Sequence, residues 1–134
     1  MIAPATKLLG STVSTNKLRK AMREIASKKG DFTFFGIFLR ADALGSWDLV
    51  VSAPWLEERR LKPLGEFTEL LTKSIGRQSL RQFARIVTLN PRDPALKAVA
   101  SAYSVDDGEV RVQHSKLFGL DIEDAIIMRA KKAA

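Results

Sequence analysis

Phe32-Thr33-Phe34-Phe35-Gly36-Ile37-Phe38-Leu39-Arg40, a polar stretch from Ala41 to Ser46, and then Trp47-Asp48-Leu49-Val50-Val51-Ser52-Ala53 decide the fold of this 134-residue chain. The first run is rich in aromatic and β-branched residues and carries no polar side chain from Phe34 to Leu39, which suits a strand covered on both faces rather than an edge. Gly36 within it marks a close approach or a bulge. Leu49-Val50-Val51 reads as a second strand, and a connection this short makes the two strands an antiparallel hairpin. Pro54 ends the second strand.

On the N-terminal side of the hairpin, Leu18, Met22, Ile25 and Ala26 recur at helical spacing opposite Lys17, Lys20 and Arg23. Ser14 or Thr15 serves as the cap and Gly30 as the stop, so an amphipathic helix is expected up to Lys29. Residues 1–13 are weakly patterned and read as a loosely attached arm, leaving a single domain over 14–134. On the C-terminal side, Glu57 to Leu61 form a charged approach, Pro63 suits a helix first turn, and Leu64, Phe67, Leu70, Leu71 and Ile75 make an apolar stripe up to Gly76. Ser79 to Phe83 add a turn or two, and Ile86 to Leu89 read as a third strand. Asn90-Pro91 breaks it. Asp93-Pro94 then caps and starts a third helix carrying Leu96, Val99, Ala100 and Tyr103. Asp106-Asp107-Gly108 is a turn, Val110 to Gln113 alternate as a half-buried strand, and Ala125 to Met128 form the last strand before Lys131-Lys132. The order α-β-β-α-β-α-β-β predicts an α+β domain: a mixed sheet of about five strands, containing a hairpin, with three main helices over one or both faces.

Composition narrows the chemistry. The chain has no cysteine, which excludes thiol catalysis, disulfides, Cys-ligated zinc and iron–sulfur clusters. A lone histidine, His114, excludes His-rich metal centres, and its position beside Ser115 at a strand end suits no nucleophile's base. No phosphate-loop pattern of glycines opens a helix. No apolar run approaches the roughly 20 residues of a membrane span, so no membrane partner and a cytoplasmic location are expected. No cofactor is called for.

Net charge is +7, unevenly spread: residues 1–30 hold seven basic residues against Glu24 alone. A second cluster, Lys73, Arg77, Arg81, Arg85 and Arg92, lies between Glu69 and Asp93 without an acid among them. Lys73, Arg77 and Arg81 step by four, which aligns them along one side of a continuous helix unless Gly76 breaks it. Lys17, Lys20 and Arg23 with Lys73, Arg77 and Arg81 are therefore the candidate contacts to nucleic acid, against the ordinary role of a solvated face.

From Phe35 to Val51, Phe-Gly, eleven residues and then Asp48-Leu49-Val50-Val51 resemble the signature of the small nucleotidyltransferase superfamily. There a Gly, commonly followed by Ser, leads into a hairpin whose second strand carries an Asp-x-Asp pair. The resemblance implies the motif glycine at Gly36 and the first metal carboxylate at Asp48. Ile37 stands where Ser is usual, Val50 where the second carboxylate belongs, and the third strand shows Arg85. One Asp cannot hold two metal ions on a triphosphate. The resemblance thus implies a nucleotidyltransferase-like scaffold with a vestigial motif, or an enzyme with an atypical metal site around Asp48. Read by itself, Asp48 is a strand-start carboxylate on the solvent side.

Asp121, Glu123 and Asp124, with Asp106 and Asp107, fit no EF-hand spacing and read as turn and capping carboxylates. Trp47, Trp55 and Leu56 bracket the second strand and form a candidate interface, or else complete the monomer's core. With no complete catalytic or metal-binding constellation, the sequence reads foremost as a non-catalytic interaction or scaffold protein forming a homodimer. Nucleic-acid binding is the alternative, and the atypical enzyme ranks third. Convergence of Asp48, Arg85 and Asp121 on one polar cleft would favour the enzyme.

Overall fold

The computed structural model describes residues 15–42, 46–56 and 61–131. The arm expected over residues 1–13, the cap at Ser14 and the charged approach at 57–60 lie outside these. Helix α1 spans Thr15–Lys29, strands β1 and β2 span Phe34–Arg40 and Trp47–Ser52, and a 3-10 turn follows at Pro54–Leu56. Then come α2 (Leu61–Ile75), α3 (Arg77–Leu80), β3 (Phe83–Thr88), α4 (Pro94–Ala102), β4 (Val110–Leu117) and β5 (Leu120–Ala130). The α+β order read from the sequence is observed, with one addition: the turn or two expected over Ser79 to Phe83 is a separate short helix, α3, at Arg77–Leu80.

The five strands form one sheet in the order β3-β2-β1-β5-β4. The β1–β2 hairpin is antiparallel, and so are the β1–β5 and β4–β5 pairs. β3 lies parallel to β2, which requires the helical crossover through α2 and α3. The central position of β1 accounts for its unbroken apolar run. Phe35 and Ile37 join Leu18, Met22 and Ile25 of α1 and Phe67, Leu71 and Ile75 of α2 in one core layer. Phe34 and Phe38 join Leu96, Val99 and Ala100 of α4 in the other. Helices therefore cover both faces.

Gly36 provides both features expected of it. A Cβ there would stand 3.0 Å from the Ile126 carbonyl oxygen, and the β1–β5 register shifts between Phe35 and Gly36. Its role is to let two strands close at a bulge.

Three expectations are corrected. Strand β3 begins at Phe83 rather than Ile86, because Phe83 and Arg85 pair with Trp47 and Asp48. Strands β4 and β5 run on to Leu117 and back from Leu120, joined by Phe118 and Gly119 with φ of 54° and 77°. Two successive positive φ values make the two-residue turn that matches strand twist. Asp121, Glu123 and Asp124, read as turn and capping carboxylates, therefore lie within β5, the strand that pairs with β4. Among the described residues, no helix is long and apolar enough to cross a membrane.

Candidate functional site

Asp48 is not on the solvent side. It is 2% exposed, because its neighbours Trp47 and Leu49 face the α1/α2 core and alternation turns Asp48 to the opposite face of the sheet. A buried carboxylate needs counter-charge, and the adjacent strands supply it. Arg85 of β3 sits directly across from Asp48 in the parallel register, and Arg40 lies two residues beyond Phe38, its partner on β1. Arg40 Nε donates to Asp48 Oδ2 at 2.8 Å and Arg85 Nε donates to the same oxygen at 3.1 Å. Asp48 Oδ1 is buried and accepts no hydrogen bond from the described residues. Arg40 Nη1 reaches Asp42 Oδ1 at 3.1 Å.

This donor set does not fit a divalent ion. The one carboxylate is already shared between two guanidinium groups, and the Val50 side chain, at the second motif position, is part of the α4-side core. Among the described residues no group of three His, Asp or Glu side chains is arranged to hold a metal. Gly36 sits inside β1, backed by β5, where it packs against backbone and does not line a phosphate cradle. Asp48 and Arg85 do meet, whereas Asp121 stands apart from them. It lines a cavity of about 370 Å³ with Arg40, Ala41, Asp42, Gly119 and Leu120. Arg40 is the one side chain common to the cavity and the buried cluster.

The basic residues divide. Helices α1 and α2 run antiparallel, as Lys29 pairs with Glu66 at 2.9 Å while Ser74 Oγ donates to Glu24 Oε1 at 2.6 Å. This direction brings the N-terminal half of α1, with Lys17 and Lys20, toward the end of α2 and α3. Lys17, Lys20, Glu24 and Lys28 recur at three- and four-residue steps along one stripe of α1. Between this stripe and α2 runs an open groove of about 420 Å³ lined in part by Lys28 and Lys73. Lys20, Lys28, Arg77 and Arg81 are exposed and form no ion pair with a described residue. Arg23 instead leaves this face: with Arg19 it grips Asp107, at 2.9 Å and 3.1 Å. Gly76, at φ 91°, breaks the helix, so Lys73 lies on α2 and Arg77 on α3 rather than on one continuous helix.

Trp47 and Leu56 are buried, and Trp55 is half-buried, its indole N–H donating to the Gly30 carbonyl at 2.9 Å. The Trp55 ring packs on Phe32 and Phe67 at centroid distances of 5.5 and 6.1 Å. All three side chains thus belong to the core or its margin. The exposed large apolar side chain among the described residues is Leu120, at 39%. His114 is exposed, with φ 51° within β4, and its Nδ1 lies 3.2 Å from Glu123. Asp124 is gripped by Arg111 through a two-point fork, Nε to Oδ1 at 3.1 Å and Nη2 to Oδ2 at 2.7 Å. That fork holds Arg111 protonated even above its usual range.

Two features are not anticipated by the sequence pattern: Arg40 as a partner of Asp48, and Lys28 as part of the basic stripe. Helical spacing from Lys17 and Lys20 is the available signal for Lys28. No family model, curated protein or solved structure matches the chain.

Proposed function

We propose that this protein is a non-catalytic binding module that engages the phosphate backbone of nucleic acid through the outer face of α1, α2 and α3. The supporting observation is the division of its basic side chains. Arg19, Arg23, Lys29, Arg111 and Arg129 are engaged with carboxylates, whereas Lys20, Lys28, Arg77 and Arg81 stand exposed without an acidic partner among the described residues. Lys97 of α4 is an exposed cation on the opposite face, but the concentration on the α1–α3 layer is the electrostatic footprint of a polyanion partner. The homodimer reading loses its anchor, since Trp47, Trp55 and Leu56 serve the core. A nucleotidyltransferase-type reaction has no metal-binding carboxylate set among the described residues to support it.

Recognition of this kind is sequence-independent, because lysine and arginine on phosphates carry no base information. Fluorescence anisotropy with a labelled duplex tests it. Four phosphate contacts give a slope of log affinity on log salt of about −3.6. The Lys20→Glu/Arg77→Glu variant should lower affinity at least about tenfold at low salt, while Arg23→Ala should change it little. Absence of binding at low ionic strength, or equal binding by the charge-reversed variant, refutes the reading.

A further inference from the structure

We infer that Arg40 and Arg85, held side by side by Asp48, form a binding site for the phosphate group of a small molecule, separate from the helical face. Both Nε atoms donate to the same oxygen, at 2.8 and 3.1 Å, so they lie within about 6 Å of one another. Two guanidinium groups at that spacing would repel each other without the carboxylate between them. With Asp48 their net charge is positive, and Asp42, paired with Arg40, offsets it until a ligand displaces that carboxylate.

The way Asp48 is used separates this cluster from an ordinary structural ion pair, and the same molecule supplies the contrast. Arg111 spends both faces of its fork on both oxygens of Asp124. Arg40 and Arg85 each give Asp48 only Nε, both on Oδ2, and leave Oδ1 buried and unpaired among the described residues. If neutralising Asp48 were the sole purpose, a fork on both oxygens would satisfy it at no loss of unpaired acceptor. Donating through Nε leaves the Nη groups of Arg85 outside any hydrogen bond to the carboxylate. That side chain is 49% exposed, and its Nη groups have no acceptor among the described residues. Arg40 has one Nη group on Asp42, a carboxylate 78% exposed and so readily exchanged for a ligand oxygen. Each guanidinium is planar, and its free donors match the oxygens of a phosphate.

Sheet alternation gives the site its independence. Asp48 turns to the face opposite α1 and α2, so a rigid duplex lying on the basic helical face does not reach it. The site does not rest on the nucleic-acid reading. Its ligand is a phosphorylated compound small enough to sit at the sheet's end, next to the cavity that Arg40 lines.

The test is a titration of the intact chain with inorganic phosphate, following the arginine Nε–Hε resonances by NMR. Saturable shifts at Arg85 and Arg40 are expected. Arg85→Lys, which keeps the charge beside Asp48 and hence the fold, should weaken binding at least about tenfold by losing the fork. The Lys20→Glu/Arg77→Glu variant should bind phosphate as the parent does. Non-saturating shifts, an unaffected Arg85→Lys variant, or loss of phosphate binding in the helical variant overturn the inference. So does an Arg85→Lys variant that is defective on duplex while the parent ignores inorganic phosphate, since the ligand is then a nucleic-acid phosphate. Phosphate binding that persists in a chain unable to bind duplex supports this site and refutes only the helical one.

Discussion

A carboxylate with two arginines on one oxygen and, among the described residues, nothing on the other is an unequal arrangement, and its energetics are read most directly by removing the charge. Asp48→Asn keeps the shape of the side chain but leaves Arg40, only 21% exposed, beside Arg85 with no counter-ion between them. Breaking a buried pair by deleting one partner costs more than the pair contributes, and the exposure of Arg85 moderates the loss. Asp48→Asn should therefore destabilise the fold by about 2 to 3 kcal/mol in urea denaturation. An unchanged midpoint would mean that the cluster is solvated. At this scale the sequence shows a carboxylate at the head of a strand and favours solvent for it. Whether its face is covered depends on which strands flank β2, and no local pattern near Asp48 encodes Arg40 and Arg85 as its partners.

Helix α2 and its junction with α3 place two glycines in opposite physical situations. Gly65 is exposed within the helix, and a Cβ there meets nothing within 4 Å. Gly65→Ala should stabilise by about 0.5 to 1 kcal/mol, by removing glycine's backbone entropy from the unfolded chain. Gly76 has equal room, but its φ of 91° is one that L side chains rarely adopt. Gly76→Ala should destabilise by about 1 kcal/mol or more. Thermal denaturation of the two variants checks both, and equal shifts would contradict the argument. Elements with a strong period are legible from the amino-acid pattern alone: α1, α2, α4 and the first hairpin. Strand β5 is legible only in its apolar half. The segment Asp121 to Asp124 has three acids about a single apolar residue, Ile122, and charge density there resembles a turn. Pairing with β4 makes it a strand, with Arg111 on Asp124 and His114 beside Glu123.

At the scale of the molecule, ion pairs fasten α1 and the end of β5 to the turn at residues 106–109. A hydrogen bond from Lys131, with Arg129 nearby, holds the Asp106 carboxyl below its usual range. Burial pushes Asp107 up, yet the hydrogen bonds and charges of Arg23 and Arg19 together outweigh it and leave it lowered. Lys29 lowers Glu66 by hydrogen bond and charge. A carboxyl whose folded pKa is depressed stabilises the fold above its unfolded pKa, and that contribution fades as pH falls through the lower folded value. Stability should thus hold from about pH 8 to 5 and decline below about pH 4. Urea midpoints across this range check it. Asp107→Asn should shrink the acid-side decline, and an identical profile would show that these contacts do not couple to folding.

By itself the sequence determined the α+β class, the two-sided burial of β1, the hairpin and the breaks at Gly30, Pro54 and Gly76, because each follows from periodicity and backbone sterics within a few residues. Only the tertiary structure decided that β5 and not β3 flanks β1, which arginines reach Asp48, which cations are tied to carboxylates, and that the tryptophans serve the core. Those outcomes are contacts between residues far apart in the chain. They depend on strand order and helix direction, which local propensity does not specify.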